Sequence, residues 1–285
     1  MGSASKVVLI TGCSSGIGHA TALALKAAGH TVVATARKAE ALSTLAAAGC
    51  HVLSLDLLDE ASMVAAVAEI ERAHGPIGVL INNAGYSQSG AVESVPLDKV
   101  RKQFETNVFG LLRLTQLCLP GMRSQRWGKV VIVGSMGGKL TFPGGGIYHA
   151  SKYALEALSD ALRFEVAGWG IDVILVEPGL IRTSFADAVS REMADIPAGD
   201  DPYAKFNAAV GQLTVSAYTD GPLARFGGTP SDVADAIAAA VAAPRAPARV
   251  VVTWSATLLL TLRRWLSDRM WDRFVGGSYP SPGAA

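Results

Sequence analysis

The sequence has little charge and no excess of either sign. Lys and Arg total 25 against 24 Asp and Glu, and charged residues are only 17% of the 285 residues. A chain without an overall positive field attracts neither nucleic acid nor an anionic membrane, so we expect no nucleic-acid partner. Hydrophobic residues make up 50% of the chain, which excludes disorder as its main state.

Cysteines, a secretory leader and long apolar runs are also scarce. Cys13, Cys50 and Cys118 lie far apart with no Cys-x-x-Cys, which excludes a disulfide framework and predicts no metal site. The N-terminus lacks the basic segment and long apolar run of a signal peptide. The longest uncharged run, 250–262, has thirteen residues, whereas a membrane-spanning helix needs about 20. We therefore expect a protein of a reducing compartment, the cytoplasm.

What the sequence does contain is an alternation of short β-branched runs with helical segments, which predicts βαβ units. The predicted strands are Val7–Thr11, Thr31–Ala36, His51–Leu55, Val79–Ile81, Lys129–Gly134, Ile171–Val176 and Val250–Thr253. The clearest helices are Ile17–Ala28, Leu97–Leu119, Ser151–Gly168 and Pro230–Ala243. We expect an α/β fold with a single Rossmann-type, doubly wound parallel sheet flanked by helices. Parallel strands buried on both faces would account for much of the high mean hydropathy, +0.32.

The predicted catalytic domain covers residues 1–255, and a C-terminal helical extension with its tail covers 256–285. Residues 183–228 show no sustained period, and we interpret them as an irregular substrate lid after the sixth strand. The segment from Leu258 to Phe274 is predicted as an amphipathic helix. It has three interpretations: packing over the substrate site or a partner subunit, docking on its own domain, or lying in a membrane interface.

A glycine-rich turn joins the first strand to the first helix. Its spacing, G-x-x-x-G-x-G, allows a tight turn, close approach of a pyrophosphate and close packing of helix on strand, with phosphates over the helix N-terminus. We expect a dinucleotide to contact Gly12, Ser14, Ser15, Gly16, Ile17 and Gly18. The alternative is a glycine turn that binds nothing.

Arg37 and Lys38 follow the second strand, where dinucleotide sites contact the adenine ribose. An acid at this place bonds the ribose 2′-hydroxyl, whereas Arg accommodates a 2′-phosphate. The first acid here is Glu40, so the sequence favours NADP(H). Two alternatives remain: Arg37 stacks on adenine in an NAD-dependent dehydrogenase, or the two cations form a solvated helix entrance.

A second group of residues indicates proton transfer. Ser135 ends the fifth strand, and Tyr148 and Lys152 stand four residues apart on the next helix. An ammonium beside a tyrosine is expected to lower the tyrosine pKa, which makes a usable acid–base pair. At the end of the fourth strand, Asn83, Ala84 and Gly85 allow the backbone to approach a flat ribose or adenine. Taken alone, Tyr-x-x-x-Lys would also suit an aromatic–cation surface pair.

With these motifs in this order, residues from Lys6 to Val252 resemble the classical short-chain dehydrogenase/reductase superfamily. The resemblance implies a catalytic tetrad of Asn107, Ser135, Tyr148 and Lys152, in which Asn107 anchors a proton-relaying water and Lys152 also holds the nicotinamide ribose. It further implies cofactor contacts from Tyr148 and from Asp56, Leu57, Pro178, Gly179, Ile181 and Thr183.

The stretch from Gly134 to Gly179 resembles the branch that contains 17β-hydroxysteroid and retinol dehydrogenases and related aldehyde or ketone reductases. That resemblance implies a lipophilic alcohol or carbonyl substrate and a homodimer or homotetramer. Apolar residues expected to line the pocket are Met136, Leu140, Phe142, Ile147, Phe185, Tyr203, Phe206 and Tyr218. The alternative from another class is a dinucleotide sensor without turnover, which has no evident need for Ser135, Tyr148 and Lys152 together.

Overall fold

The computed structural model describes residues 5–183 and 201–283, together with Val189 and Met193. In this part of the chain, seven parallel strands form one sheet in the order β3-β2-β1-β4-β5-β6-β7. The strands are β1 (Val7–Ile10), β2 (Thr31–Ala36), β3 (His51–Ser54), β4 (Val79–Asn82), β5 (Gly128–Val133), β6 (Ile171–Pro178) and β7 (Arg249–Val252). The predicted Rossmann-type sheet is confirmed.

Helices cover both faces of the sheet and the end at which the strands finish. They are α1 (Gly16–Ala27), α2 (Ser43–Ala47), α3 (Glu60–His74), α4 (Leu97–Phe104), α5 (Leu111–Gln125), α6 (Gly146–Val166), α7 (Ala204–Thr219), α8 (Pro230–Ala242), α9 (Trp254–Trp265) and α10 (Asp268–Gly276). A π-helical turn, Glu105–Gly110, joins α4 to α5. Within the described ranges, no helix combines the length and apolar character needed to cross a membrane.

Successive residues of the central strands enter opposite core layers. Leu9 and Leu80 pack with α3, α5 and α6 on one face, whereas Ile10 and Ile81 pack with α1 and α8 on the other. All four side chains are fully buried, and full burial of such a side chain contributes about 1.5–3 kcal/mol. This two-sided burial explains why the strands are continuous apolar runs rather than alternating ones.

The strand order reverses beside β1, which pairs with β2 on one side and with β4 on the other. Chain connections leave such a point in opposite directions, so a crevice opens beyond the carboxyl ends of the strands. The fold therefore predicts a binding cleft where β1, β4 and β5 end.

The single helix predicted over Leu97–Leu119 is wrong in two respects. The π-helical turn interrupts it, and α5 continues through Pro120 to Gln125. Pro120 is exposed, so its ring meets solvent, while Met122 beyond it is fully buried and holds the next turn against the sheet. The helix ends at Arg126, whose backbone is left-handed with φ 52°.

The irregular lid predicted over 183–228 is also partly wrong, because α7 lies within it. Only Asn207 and Val210 of α7 are buried, and its small and β-branched residues give no clear apolar stripe in the sequence. Residues 184–200 of the predicted lid, Phe185 among them, lie outside the described residues apart from Val189 and Met193.

The C-terminal segment forms two helices instead of the one predicted. Leu266 and Ser267 adopt extended backbone between α9 and α10. Trp271 is only 4% exposed, packs in a cluster with Met136 and Leu140, and donates its indole N–H to the Thr141 carbonyl over 3.2 Å. The segment thus docks on its own domain, against the loop that follows Ser135, and the predicted boundary at residues 255–256 falls inside α9.

Candidate active site

A cleft of about 580 Å³ lies at the carboxyl ends of the central strands. It brings together residues that the sequence separates by more than 170 positions, since both Gly12 and Thr183 line it. The predicted site residues in its wall are Gly12, Ser14, Ser15, Gly16, Ile17, Arg37, Asp56, Leu57, Asn83, Ala84, Gly85, Ser135, Tyr148, Lys152, Pro178, Gly179, Ile181 and Thr183. Gly18, Lys38 and Asn107 do not line it.

The glycine turn forms a narrow cradle at one end of this cleft. Gly12 and Gly16 have φ of 72° and 59°, a left-handed region that other residues rarely adopt. A Cβ at Gly18 would overlap the Gly12 carbonyl oxygen and lie 2.5 Å from the Asn83 amide nitrogen. Ser15, the residue before α1, makes no side-chain cap, and the first turn of α1 carries no acid. The positive helix end is therefore left for an anion such as a pyrophosphate.

Asn83 braces the glycine turn from the neighbouring strand. Its side-chain amide donates to the carbonyls of Thr11, at 2.9 Å, and Gly12, at 3.1 Å. The backbone N–H groups of Asn83 and Ala84 both donate to the Thr11 hydroxyl, at 3.1 and 3.0 Å. The Asn83 side chain therefore serves to fix the turn, and the backbone of Ala84 and Gly85 lines the cleft beside it.

Arg37 directly follows β2, the strand next to β1. Its side chain is exposed, lines the cleft and makes no hydrogen bond or ion pair with residues 5–183 or 201–283. The neighbouring Lys38 does not line the cleft. Asp56, which also lines the cleft, accepts a hydrogen bond from the Leu58 N–H at 3.0 Å. The glycine cradle, the open helix end and the Arg37 guanidinium together fit a dinucleotide.

Ser135, Tyr148 and Lys152 meet in the middle of the cleft. Because α6 begins at Gly146, earlier than predicted, Tyr148 and Lys152 lie on its first two turns. The Lys152 ammonium lies 5.8 Å from the centre of the Tyr148 ring and donates to the Val133 carbonyl at 2.9 Å. The Ser135 hydroxyl accepts the Gly137 N–H at 3.0 Å and hydrogen-bonds Tyr148.

The electrostatics of this group differ from the sequence-based expectation. Burial raises the pKa of Tyr148 above its ordinary value, and the hydrogen bond with Ser135 only partly opposes that effect. Burial also lowers the pKa of Lys152 to about 8, because an ammonium surrounded by protein loses hydration. The net shift of the Tyr148 pKa is therefore upward, opposite to the direction expected from the sequence.

Asn107 lies behind the cleft, in the π-helical turn. Its side chain is buried; the amide nitrogen donates to the Tyr86 carbonyl at 3.0 Å and to the Ser151 hydroxyl at 3.2 Å. Its oxygen accepts the Tyr86 N–H at 3.1 Å. The side chain is thus occupied in joining the loop after Gly85 to α6.

Some residues of the cleft wall do not follow from the sequence motifs. Tyr86, Lys102 and Thr106 line it, and the Lys102 ammonium lies 5.9 Å from the centre of the Tyr86 ring. The one available signal is the spacing of Lys102 and Thr106, one turn apart on the helix that leads to Asn107. Of the aromatic and apolar residues predicted to form the pocket, Tyr218 of α7 lines the cleft.

An ion cluster centred on the buried Glu177 carboxylate lies beneath the loop that follows Ser135, and no sequence motif predicted it. Glu177, at the end of β6, is fully buried; its carboxylate pairs with Lys139 at 2.5 Å and with Arg249 at 3.2 Å. Arg249 also pairs with Glu156 of α6 at 3.0 Å. Burial, followed by the nearby Glu177 charge, raises the pKa of Glu156 to about 7. These contacts tie the loop at Lys139 to α6 and the sheet.

Comparison with known proteins identifies relatives over nearly the whole chain. The family described as short chain dehydrogenase matches residues 6–194. The chain is 36% identical over 273 residues to the uncharacterised oxidoreductase YbbO of Escherichia coli (strain K12), covering 95% of this chain and 94% of that protein. It is 38% identical over 200 residues to the 3-ketodihydrosphingosine reductase of Bacteroides thetaiotaomicron, covering 70% of this chain and 72% of the reductase.

Solved structures with the same fold contain nicotinamide cofactors. A short chain dehydrogenase/reductase from Burkholderia phymatum in complex with NAD is 26% identical, with a TM-score of 0.78, covering 99% of this chain and 97% of that chain. A serine dehydrogenase complexed with NADP⁺ is also 26% identical, with a TM-score of 0.73 and coverages of 87% and 94%. Nicotinamide dinucleotides of both kinds thus occur among the structural relatives.

Proposed function

The chain belongs to the short-chain dehydrogenase family of oxidoreductases, and on this premise we propose that it is an NADP(H)-dependent reductase of lipophilic ketones or aldehydes. The observation that carries the proposal is the convergence of Ser135, Tyr148 and Lys152 on the cleft that also contains the glycine cradle and Arg37. A dinucleotide sensor would need the cradle alone.

Preference for NADP(H) is supported by the charges around the adenine end. Arg37 reaches the cleft as a cation without an acidic partner in the described residues. A 2′-phosphate would supply the oxygens for a bidentate guanidinium pair. The carboxylate that also lines the cleft, Asp56, follows β3, the strand beyond β2, and does not occupy the position directly after β2 that Arg37 holds.

The proposed proton chemistry uses Tyr148 as the general acid. When bound, NADPH supplies the hydride that reduces the carbonyl carbon. Ser135 holds the carbonyl oxygen, and the Tyr148 phenol donates its proton to that oxygen as negative charge develops. The Lys152 ammonium, 5.8 Å from the centre of the Tyr148 ring, stabilises the resulting phenolate.

A lipophilic substrate is supported by an apolar cluster beside this group. Tyr218 lines the cleft and also packs against the cluster, which makes the two continuous. The cluster's buried members are Met136, Leu140, Leu180, Ala256, Leu259 and Trp271. The Bacteroides relative is named a 3-ketodihydrosphingosine reductase, and a long-chain ketone that enters the cleft beside Tyr218 is the substrate class that we propose.

The direct test is NADPH oxidation, followed by absorbance, with long-chain, steroid, retinoid and aryl carbonyls. We expect turnover with at least one lipophilic carbonyl, and a Tyr148→Phe variant that binds NADPH normally but loses about 10³ in kcat. Tyr153→Phe, an exposed tyrosine on the same helix, is the matched control. Activity retained in Tyr148→Phe would refute the assigned acid.

A further inference from the structure

His149 follows Tyr148 directly on α6, and its ring lies in the loop that carries Ser135. It is only 7% exposed. One ring nitrogen, Nδ1, lies 2.9 Å from the Gly137 carbonyl, and the other, Nε2, accepts the Phe142 N–H at 3.3 Å. Because Nε2 faces a donor, the proton of the neutral ring belongs on Nδ1, where it is donated to Gly137. Burial lowers the pKa of His149, which favours this neutral ring.

The peptide of Gly137 connects this ring to the site. Its carbonyl accepts from His149, and its N–H donates to the Ser135 hydroxyl at 3.0 Å. The ring is also in edge contact with Tyr148, with ring centres 5.6 Å apart. Two groups would bind the carbonyl oxygen: His149 contacts one of them, Tyr148, directly, and it reaches the other, Ser135, through the backbone of Gly137.

Two glycines make room for the imidazole. A Cβ at Gly137 would lie 2.5 Å from Nδ1, and a Cβ at Gly145 would lie 2.6 Å from Nε2. Real Cβ atoms do not approach that closely, so a side chain at either position would displace the ring. The loop is thus shaped around His149. Phe142, whose backbone N–H donates to the His149 ring, has its own ring packed between those of His149 and Trp271.

We propose that His149 is a positioning residue for the reaction: through the Gly137 peptide it sets the Ser135 hydroxyl against the substrate oxygen. The inference rests on the proposed function, because it assigns His149 a part in the same proton transfer. A 1 Å misplacement of such a group costs about 10²-fold in rate. Loss of His149 therefore lowers kcat and leaves cofactor affinity alone, since no contact of its ring reaches the glycine cradle.

The test is a double-mutant cycle. We expect His149→Phe, which keeps a ring but loses both hydrogen bonds, to lower kcat about 30-fold with an NADPH Kd within about twofold of wild type. His149→Asn keeps a donor near the Nδ1 position and is expected to recover most of the rate. In a Ser135→Ala background, His149→Phe should lower kcat by less than about threefold relative to Ser135→Ala alone, because the hydroxyl that His149 positions is absent.

Multiplicative losses in the double mutant, or a His149→Phe enzyme with normal kcat, would overturn the inference. Because His149→Phe can unfold, melting temperatures are measured for all variants and His149→Asn supplies the second reading. Nitrogen-15 NMR of the wild-type imidazole gives a readout without turnover: a proton on Nε2 would also overturn the inference. A wild type that reduces no carbonyl refutes the proposed function, whereas an active wild type with insensitive His149 variants refutes this inference alone.

Discussion

The cofactor preference is the prediction with the most direct physical basis. We expect Arg37→Ser to lower kcat/KM for NADPH and to leave kcat/KM for NADH nearly unchanged. Arg37 lines the cleft and has no competing partner among the described residues, so its guanidinium is available for a 2′-phosphate. NADH lacks this phosphate, and nothing else distinguishes the two cofactors.

The magnitude follows from the exposure of the side chain. Hydrogen bonds to charged groups contribute about 1.5–3 kcal/mol when shielded, whereas exposed ion pairs contribute about 0.2–1 kcal/mol. A bidentate pair makes two such contacts, and at an exposed position each contributes about 1 kcal/mol, or about 2 kcal/mol in total. Since about 1.4 kcal/mol corresponds to tenfold, the expected loss with NADPH is about 30-fold.

The assay is a pair of initial-rate series, one with each cofactor, on wild type, Arg37→Ser and a control. Arg72→Ser removes the same charge from an exposed position on α3, which separates a local contact from the change in net charge. Equal losses with NADPH and NADH would show that Arg37 acts by stacking on adenine and would refute the phosphate contact. A kcat/KM for NADPH that is unchanged in Arg37→Ser would refute any role for Arg37 in cofactor binding.

Three further outcomes follow from other contacts. Trp271→Ala should lower the free energy of unfolding in urea by about 3–5 kcal/mol, because its buried indole is lost. Gly18→Ala should weaken NADPH binding, measured by fluorescence titration, about tenfold or more, since the new Cβ overlaps Gly12; Gly168→Ala, with open space around it, should not. With its pKa raised to about 7, Glu156 binds a proton more tightly when folded, so its contribution to stability falls as pH rises from about 4.3 to about 7. In urea titrations across this pH range, the free energy of unfolding of Glu156→Gln should therefore fall less with rising pH than that of the wild type. The same pH dependence in both proteins would contradict this prediction.

The sheet could be predicted from the sequence because each strand carries its own signal. Strands buried on both faces are short apolar runs, and the seven predicted strands agree with the structure to within one or two residues at each end. Helix ends were less predictable because they depend on tertiary burial. Pro120 does not end α5, since Met122 beyond it is buried, and Leu266 interrupts the C-terminal helix where Trp271 turns into the core.

The site was predictable where its residues follow strand ends. Parallel strands bring those ends together, so Gly12, Arg37, Asn83 and Ser135 had to lie near one another once the sheet was assigned. Contacts between residues far apart in sequence could not be read in this way. The pairing of Glu177 with Lys139 and Arg249 joins three separate segments, and no local pattern marks it.

The loop after Ser135 is where the catalytic and C-terminal parts of the chain join. His149 bonds it at Gly137 and Phe142, Lys139 ties it to the sheet through Glu177, and Trp271 bonds it at Thr141. None of these contacts involves the glycine cradle, but α9 also packs on Gly179 in the cleft wall, where a Cβ would overlap the Thr253 hydroxyl oxygen and lie 2.7 Å from the Ser255 hydroxyl oxygen. The last two helices therefore support the cleft wall where β5 and β6 end, and we expect substitutions in them to change both substrate turnover and cofactor affinity.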